Sequence, residues 1–555
     1  MKLAVLSNIN LDPLKLQLHR QMGAVDPYFC AYGQHLLELL NKQSGLYQRD
    51  LDAVFVHLDA EELLKDDFFR LASNPGENPD LADFLAALRG FCEERPTVNV
   101  IISSLALPPF SFASHLAGPL APSAIEAGMN EMLRAFARNV SNVFLWDFQR
   151  LLRLHGRAFF YDDKYWYLGR IKYTQNGFKA MAEDLDGLLR AVRGISRKVL
   201  VLDLDNTLWG GVLGEDGPEG VKLSEDGIGK AYRDFQKCVK ALKAIGVLLA
   251  LNSKNDEDAV REFLEKSPMM VLKSTDFAAQ RVNWKNKADN LREIAKELNV
   301  GLDSLVFVDD SPAERALVRQ CVGEVAVPDF PADAALLKSW FLGEVVYRYF
   351  PRVKLTEADL NKTGQYERNQ KRREWGSRLK LEDFIASLEI RLVLRKNDPQ
   401  TAARIAQLTQ KTNQFNLNNR RCTEAEVTHY MAGETGAVYG VEYEDKFGHE
   451  GLIGVCMVRR EGECGRIDNF LLSCRVLGRG VENGFLSLVL LDLQTAGLTR
   501  VSAQYIVSSK NSVARNFYSN CGMRALGEGS FEMEIEPLIQ NLRATHADIY
   551  EPTER

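Results

Sequence analysis

Two aspartates one residue apart follow an uninterrupted apolar stretch near residue 200. The run Lys198-Val-Leu-Val-Leu leads directly into Asp203-Leu-Asp205-Asn-Thr207. Such a run predicts a central strand of a parallel sheet, and open α/β sheets bind ligands at the carboxyl ends of their strands. Because side chains alternate along a strand, we expect Asp203 and Asp205 to face one Mg²⁺ and one phosphate. Asp203 can attack phosphorus, Asp205 can carry the leaving-group proton, and Thr207 can position both. An acidic turn that caps a helix is the alternative.

Three segments further along the chain favour the same chemistry. A second apolar strand ends in Ser253, whose hydroxyl can hold a phosphate oxygen. A helical pattern begins near Lys287, where a lysine and the helix dipole can neutralise a phosphorylated intermediate. Lys287 is the first candidate for this role and Lys285 the second. A third apolar strand ends at Asp309-Asp310, and Asp309 completes a shell of hard oxygen ligands for Mg²⁺.

Residues 197 to 350 resemble the haloacid dehalogenase (HAD) superfamily of phosphotransferases, whose four motifs occur here in order. The resemblance implies a Rossmannoid α/β domain with a minimal cap, because only about forty residues separate Thr207 from Val247. It implies an open site for bulky substrates. The implied roles are nucleophile for Asp203, general acid/base for Asp205, phosphate clamps for Ser253 and Lys287, an acidic pair near the metal for Asp309 and Asp310, and Mg²⁺ ligation for Asp203, Asp205 and Asp309.

Length and composition limit the remaining possibilities. A chain of 555 residues predicts about three domains. The formal net charge of −6 gives no reason to expect nucleic-acid binding, and no apolar stretch is long enough for a membrane span. The 9 cysteines are scattered without a C-x-x-C pair, which disfavours zinc and disulfides. We therefore expect a cytoplasmic protein without nucleic-acid or membrane partners.

Boundary signals divide the chain into five predicted parts. Residues 1–195 form an α/β domain, 196–350 the HAD-like domain, 351–380 a charged and solvated linker helix, 381–540 a third domain, and 541–555 a tail. In the first part, short apolar strands alternate with helical segments, which indicates a parallel α/β layer. Ser7 and Gly177 resemble the outline of SGNH-type hydrolases, but the Gly-Asp-Ser signature is absent. We therefore expect a docking or scaffolding role rather than an active hydrolase.

The third part contains a cysteine next to a glycine-rich loop. An apolar strand is predicted to end at Cys474, and the loop Arg475-x-x-Gly478-x-Gly480 leads into a helix. Glycines allow close approach to a diphosphate, and the helix N-terminus binds anions. This loop and the later segment that starts at Asn511 resemble GNAT-type α+β acyltransferases, whose cleft holds a pantetheine arm. The predicted pantetheine-binding residues are Arg475, Gly478, Arg479, Gly480 and Asn511.

The same loop can carry an acyl group. A Cys474 thiolate can accept an acyl unit and pass it on, and Arg475 can lower the pKa of the thiol. His449 can serve as a base near Cys474. A buried structural cysteine and an ordinary hydrogen-bonded turn at His449 are the alternatives.

Taken over residues 1 to 540, the chain resembles the FkbH-type proteins of polyketide pathways. The strings that carry this resemblance are Leu-Asp203-Leu-Asp205-Asn-Thr207-Leu-Trp209-Gly-Gly-Val, Thr412-Asn-Gln-Phe-Asn416 and Ser473-Cys-Arg-Val-Leu-Gly-Arg479. The resemblance implies transfer of a glyceryl unit from 1,3-bisphosphoglycerate to the phosphopantetheine thiol of an acyl carrier protein, with loss of both phosphates. A similar three-carbon acyl phosphate is an alternative substrate. A small-molecule phosphatase with a regulatory or carrier-docking third domain and a non-catalytic carrier scaffold are the alternative functions.

Overall fold

The computed structural model of the chain describes residues 1–23, 25–65, 79–108, 115, 121–353, 368, 372, 375, 380–508 and 511–546. The side chains of residues 381, 382, 474 and 543–546 lie outside this description. The chain forms two compact units. The first comprises Met1–Arg193 with Cys422–His429, and the second comprises Gly194–Arg421 with Tyr430–Arg555.

The first unit contains a parallel sheet of five described strands. They are β1 (Leu3–Ser7), β2 (Tyr28–Phe29), β3 (Ala53–His57), β4 (Asn99–Ser103) and β5 (Val143–Trp146), in the order β2-β1-β3-β4-β5. The helices between and after them are Asp12–Met22, His35–Leu40, Ala60–Leu64, Pro79–Glu94, Pro122–Asn139, Phe148–His155, Arg157–Phe160, Asp163–Gly169 and Gln175–Val192. The predicted parallel α/β layer is confirmed, whereas the likeness to SGNH-type hydrolases stays a prediction.

The second unit begins with a four-stranded parallel sheet. Its strands are β6 (Val199–Leu202), β7 (Leu248–Ser253), β8 (Ala279–Val282) and β9 (Leu305–Val308), in the order β8-β7-β6-β9. The α-helices of this part are Leu213–Gly220, Gly227–Ala244, Glu257–Lys266, Lys287–Glu297, Pro312–Cys321, Leu337–Trp340 and Tyr347–Tyr349, with a π-helix at Phe341–Val346 and 3₁₀ turns at Ser274–Asp276, Leu302–Ser304 and Ala334–Leu336. Between β6 and β7 every residue is described, and only two helices are found there, so this connection contains no separate cap domain.

Strand β6 is the centre of this sheet, and both of its faces are buried. Val199 and Val201 pack on one side against the helix Lys287–Glu297 and its neighbours. Leu200 and Leu202 pack on the other side, in a cluster that includes residues of the helix Gly227–Ala244. This alternation between two apolar layers explains why the strand has no polar position, and it confirms the predicted central parallel strand.

The rest of the second unit is built on a mostly antiparallel sheet. Its strands are β10 (Arg391–Lys396), β11 (Phe415–Asn416), β12 (Gly436–Asp445), β13 (Gly448–Glu461), β14 (Cys464–Leu472), β15 (Arg500–Gln504), β16 (Arg524–Gly527) and β17 (Ser530–Glu534). The order is β10-β12-β13-β14-β15-β17-β16, with β11 paired to the end of β14, and β14 and β15 are parallel. The α-helices of this part of the chain are Leu381–Ala386, Ala402–Lys411, Glu424–Ala432, Val481–Thr495, Phe517–Asn520 and Ile535–His546, with 3₁₀ turns at Pro399–Thr401, Cys474–Val476 and Ser512–Ala514. Residues 424–429 of the third helix belong to the first unit.

These sheets make the protein a multidomain mixed α/β structure. Within the described ranges, no helix combines the length and apolar character that crossing a membrane would require.

Candidate active site

The ends of three neighbouring strands bring the predicted phosphoryl-transfer residues together. Asp203 directly follows β6, Ser253 is the last residue of β7, and Asp309 directly follows β9. Because β6 lies between β7 and β9 and all three strands are parallel, these residues meet at one edge of the sheet. This is the carboxyl edge at which the sequence predicts the site.

Lys287 lies at the centre of this edge and bridges two carboxylates. Its Nζ is 2.9 Å from Oδ2 of Asp203 and 2.6 Å from Oδ2 of Asp309. The lysine side chain and both aspartate side chains are less than one tenth exposed. Asn286 caps the helix Lys287–Glu297 by accepting a hydrogen bond from the backbone N–H of Ala288, so the lysine is the first residue of a well-defined helix.

Three of the carboxylates form a compact group. Asp203, Asp309 and Asp310 each offer an oxygen within 4.8 Å of the others. Oδ1 of Asp203 is buried and accepts no hydrogen bond from the described residues. An unsatisfied buried carboxylate oxygen is costly, and a bound cation would satisfy it. The donor set is all oxygen, which fits Mg²⁺, and these three aspartates are the residues that would hold the ion.

The same crowding changes the proton affinities of the group. Burial, followed by the negative charge of Asp203, raises the pKa of Asp309 to about 6, although Lys287 opposes this rise. Burial and the charge of Asp203 also raise the pKa of Asp310. Burial alone would lower the pKa of Lys287, but Asp203 and Asp309 outweigh it, so the pKa is raised and the lysine stays charged.

Asp205 lies apart from the compact group. Its Oδ1 accepts hydrogen bonds from Nε1 of Trp209 (2.9 Å) and the backbone N–H of Leu213 (3.0 Å), and its Oδ2 accepts one from Nδ2 of Asn255 (2.8 Å). Burial raises the pKa of Asp205, which suits a group that must carry a proton. Its predicted role as a metal ligand stays a prediction. The third member of the compact carboxylate group is Asp310.

The reason for this difference lies in the backbone. Strand β6 ends at Leu202, so the alternation of side chains along a strand does not extend to Asp205. Thr207 is fully buried, and its Oγ1 accepts a hydrogen bond from the backbone N–H of Asp310 at 3.2 Å. It therefore ties the loop after β6 to the loop after β9. Lys285 is exposed and lies 3.5 Å from Glu293, outside the carboxylate group.

Two supporting residues were not found by sequence reasoning. Asn255, which donates to Asp205, lies two residues after Ser253 and is buried. Arg315 donates through Nη1 to the backbone carbonyls of Asp309 and Asp310 at 2.8 and 2.6 Å. The position of Asn255 in the sequence, two residues after the end of the strand at Ser253, was the signal that could have identified it. Nothing in the sequence indicates the backbone contacts of Arg315.

In the third predicted domain, the side chain of Cys474 lies outside the described residues. The backbone there forms the turn Cys474–Val476, after which Gly478 and Gly480 adopt φ of +75° and Gly480 precedes the helix Val481–Thr495. Positive φ explains both glycines. Burial raises the pKa of Glu482, against a smaller opposing effect of the backbone N–H groups of Glu482 itself and of Gly478. A carboxylate of the chain therefore lies at the predicted anion loop.

A short segment bridges β14 to the chain that follows β15. The backbone N–H of Leu417 donates to the carbonyl of Phe470 in β14 at 3.0 Å. The carbonyl of Leu417 accepts from the N–H of Ile506, just after β15, at 2.7 Å. Asn511 is buried and holds this segment, because its Nδ2 donates to the carbonyls of Asn416 and Ile506. The amide of Asn511 thus binds the chain's own backbone.

A buried charge network surrounds the predicted acyl loop. Arg372 binds both oxygens of Asp445 at 2.6 and 2.8 Å and Oε1 of Glu450 at 2.7 Å. Nη1 of Arg475 lies 3.6 Å from Oε2 of Glu450, and its Nε donates to Ser473 Oγ. The prediction of a solvated linker helix is wrong at Arg372, whose side chain is 1% exposed. Buried carboxylates on β12 and β13 bind it, which an alternating charge pattern does not reveal.

His449 lies on the other side of β13 from this network. Its ring is half exposed, and Nε2 is 3.6 Å from Oε2 of Glu442. The next residue, Glu450, faces Arg475 because side chains alternate along the strand. Arg479 donates to the hydroxyl of Tyr443, which in turn donates to Asp445. Glu450 and Tyr443 are therefore contacts of the loop that sequence reasoning missed.

Comparison with known proteins agrees with the site at the carboxyl edge of the β6–β9 sheet. No protein-family model matches the chain, and no curated protein does. The crystal structure of the N-terminal part of the protein BF1531 from Bacteroides fragilis, which contains a phosphatase domain complexed with Mg, is similar with a TM-score of 0.58 and 29% identity. That match covers 64% of this chain and 95% of the other.

Two acetyltransferase structures are similar over a smaller part. Mutant forms of the spermidine/spermine N-acetyltransferase SpeG from Vibrio cholerae share 15% identity over 27% of this chain and 96% of theirs, with a TM-score of 0.22. IAA acetyltransferase from Bacillus cereus shares 16% identity over 26% of this chain and 99% of its own, with a TM-score of 0.19. At such low TM-scores these two likenesses carry no argument. The β6–β9 sheet, its carboxylate group and the likeness to the BF1531 structure together support a HAD-like phosphatase domain.

Proposed function

We propose that the chain is an Mg²⁺-dependent phosphatase and acyl transferase of the FkbH type. It converts 1,3-bisphosphoglycerate, or a similar three-carbon acyl phosphate, into a dephosphorylated glyceryl unit and transfers this unit to the phosphopantetheine thiol of an acyl carrier protein. The observation that carries the proposal is the buried group of Asp203, Asp309 and Asp310 around Lys287. The Mg-bound phosphatase domain of the similar BF1531 structure supports the choice of metal.

Phosphate removal uses the residues at the carboxyl edge of the β6–β9 sheet. A carboxylate oxygen of Asp203 attacks phosphorus, the bond to the leaving oxygen breaks, and Asp205 gives its proton to that oxygen. Water then attacks phosphorus in the aspartyl phosphate, Asp205 takes up the proton, and Asp203 is released. Lys287 neutralises the charge of the phosphorylated carboxylate. A bound Mg²⁺ supplies electrostatic stabilisation of the transferring phosphoryl group.

Acyl transfer uses the predicted cysteine. The Cys474 thiolate attacks the acyl carbon, and the bond to the acyl phosphate oxygen breaks to release phosphate. The carrier thiolate then attacks the thioester carbon and regenerates the Cys474 thiolate. An acyl phosphate is already activated, so the sequence of steps needs no ATP. Arg475, held by Glu450 and Ser473, supplies a positive charge beside the cysteine position that favours the thiolate.

A second candidate is a small-molecule phosphatase whose C-terminal domain only docks a carrier or regulator. The observation that favours it is that Asn511, one of the predicted pantetheine-binding residues, is buried and donates to the carbonyls of Asn416 and Ile506 of the chain itself. This candidate uses the Asp203 chemistry unchanged and assigns no reaction to Cys474.

One experiment separates the two candidates. The protein is incubated with 1,3-bisphosphoglycerate, Mg²⁺ and a holo-carrier protein, and every protein species is weighed by intact mass spectrometry. The proposal predicts a glyceryl adduct on the enzyme and on the carrier, both without phosphate. Cys474→Ala abolishes the enzyme adduct, and Asp203→Asn leaves a phosphorylated acyl group. Phosphate release that needs neither carrier nor Cys474 would establish the second candidate instead.

A further inference from the structure

An ion pair joins the two strand ends that flank Asp203. Lys254 directly follows Ser253 at the end of β7, and Glu314 lies in the first turn of the helix Pro312–Cys321, after β9. Nζ of Lys254 is 2.6 Å from Oε1 of Glu314. Because β6 lies between β7 and β9, the pair spans the end of β6, where Asp203 begins the catalytic loop. The pair therefore lies at the carboxyl edge itself.

The side chain of Lys254 is held by this ion pair and is partly exposed. Its side chain is 39% exposed, while that of Glu314 is 18% exposed. An ammonium has three N–H donors, and the described contacts of Nζ use Glu314. The backbone of Glu314 is part of the capped first turn of its helix, where its N–H donates to Ser311 Oγ at 3.4 Å. A lysine with a partly exposed side chain and one carboxylate contact is suited to bind an anionic ligand.

Two other cations that the described residues place at this edge, Lys287 and Arg315, are engaged by groups of the site. Nζ of Lys287 binds Asp203 and Asp309, and Nη1 of Arg315 binds backbone carbonyls. Four carboxylates, of Asp203, Asp205, Asp309 and Asp310, face these groups. A substrate with a second anionic group needs a donor beyond those that serve the transferred phosphate. Lys254, which follows the end of β7 and is partly exposed, is a cation placed to supply this donor.

We propose that Lys254, positioned by Glu314, forms a second anion subsite that binds the phosphate of the substrate that is not being transferred. The subsite makes the phosphatase selective for small bisphosphates over monophosphates. This inference rests on the proposed phosphatase function, and it names the substrate feature that this site recognises. Glu314 acts through Lys254 and is a positioning residue.

The test compares two substrates that differ only in the second phosphate, propyl phosphate and propane-1,3-diyl bisphosphate. The full chain with Mg²⁺ is assayed for kcat/KM on each, and the ratio of the two values measures selectivity. Lys254→Met lowers this ratio by about 10- to 100-fold, mainly through the KM of the bisphosphate, since it removes a charge-assisted contact. Lys254→Arg retains most of the ratio, and Glu314→Gln lowers it less than Lys254→Met.

Lys266→Met is the matched control. Lys266 ends the helix Glu257–Lys266, which follows the same strand, and its Nζ pairs with Glu262 at 2.7 Å, on the exposed surface. This variant removes the same charge and leaves the ratio within about twofold, as surface changes usually do. An equal loss on both substrates in Lys254→Met, or no change in the ratio, overturns the proposal.

A binding measurement separates this proposal from the proposed function. The affinities of Asp203→Asn and of Asp203→Asn with Lys254→Met for both compounds are measured by calorimetry, without turnover. If Asp203→Asn binds the bisphosphate more tightly than the monophosphate and the double variant does not, the subsite is supported. This holds even if the wild type hydrolyses neither compound, and in that case only the phosphatase function has failed. Equal affinities for the two compounds in Asp203→Asn overturn the subsite.

Discussion

Replacement of Lys287 by Met tests the electrostatic design of the carboxylate group. The lysine contacts Asp203 and Asp309 at 2.9 and 2.6 Å and is 4% exposed. Two carboxylates within 4.8 Å repel each other by about 3.5 kcal/mol at an effective dielectric constant of about 20. Removal of one partner from a buried ion pair costs about 3–5 kcal/mol. We therefore expect Lys287→Met to lose about 3–5 kcal/mol of local stability when no metal is present.

Mg²⁺ should reverse much of this loss. A divalent cation replaces the missing charge, and the repulsion between Lys287 and the cation is gone, so the variant binds Mg²⁺ more tightly than the wild type. A 100-fold excess over the dissociation constant stabilises by about 2.7 kcal/mol. Phosphatase activity should nevertheless be lost, because no cation remains to neutralise the phosphorylated Asp203.

The assay is hydrogen exchange of the β6 and β9 peptides, with EDTA and with Mg²⁺. A local measurement is needed because a chain of several domains does not unfold in one step. Lys285→Met is the control, since Lys285 is two residues away and is 65% exposed beside Glu293. Its loss should stay below about 0.5 kcal/mol. Equal losses in the two variants, or a smaller gain from Mg²⁺ in Lys287→Met than in the wild type, would refute the reasoning.

Three further predictions concern other parts of the chain. Arg372→Met leaves two buried carboxylates unpaired and should lower the local stability of β12 and β13, measured by hydrogen exchange, by about 3–5 kcal/mol. The control Arg395→Met breaks a half-exposed ion pair and should lower it by less than about 1 kcal/mol. Equal losses would contradict the burial of Arg372. Burial lowers the pKa of His57 to about 3 from its ordinary 6.5, so the neutral ring contributes stability above pH 6.5 that is lost as the pH falls, by about 1.4 kcal/mol per pH unit. Pulse proteolysis in urea at pH 7 and 5 should show this dependence of stability on pH. His57→Gln should reduce the slope by the contribution of about one proton. An unchanged slope in this variant would exclude His57 as its source. Glu482→Gln removes a carboxylate from the Gly478 loop and should strengthen binding of a holo-carrier protein about tenfold by calorimetry. No change would mean that the loop does not bind the phosphate of the phosphopantetheine arm.

The phosphatase half of the fold could be predicted because its signals are local. Strands β6, β7 and β9 are apolar on both faces, so each appears in the sequence as an uninterrupted run that ends in a polar residue. The parallel order then brings Asp203, Ser253 and Asp309 to one edge. The position of Asp205 could not be predicted in the same way, because it depends on where the strand ends and on donors from Trp209 and Asn255.

The C-terminal half could be predicted less well because its signals are long-range. Strand β11 has only two residues, and its place beside β14 depends on partners more than fifty residues away. Arg372 lies in a segment whose charge pattern predicts a solvated helix. Its side chain is nevertheless buried, and it pairs with Asp445 and Glu450. A sequence pattern reports the local period of a segment, and it does not report the distant groups that cover it.

The central claim is that phosphate leaves the substrate through a covalent bond to Asp203. Acid quenching during turnover with 1,3-bisphosphoglycerate labelled with ³²P in its ester phosphate, followed by peptide mapping, measures this most directly. The account predicts a hydroxylamine-labile label on the peptide that contains Asp203, and no label and no release of labelled phosphate in Asp203→Asn. Label on another peptide, or undiminished release of labelled phosphate by Asp203→Asn, would contradict it.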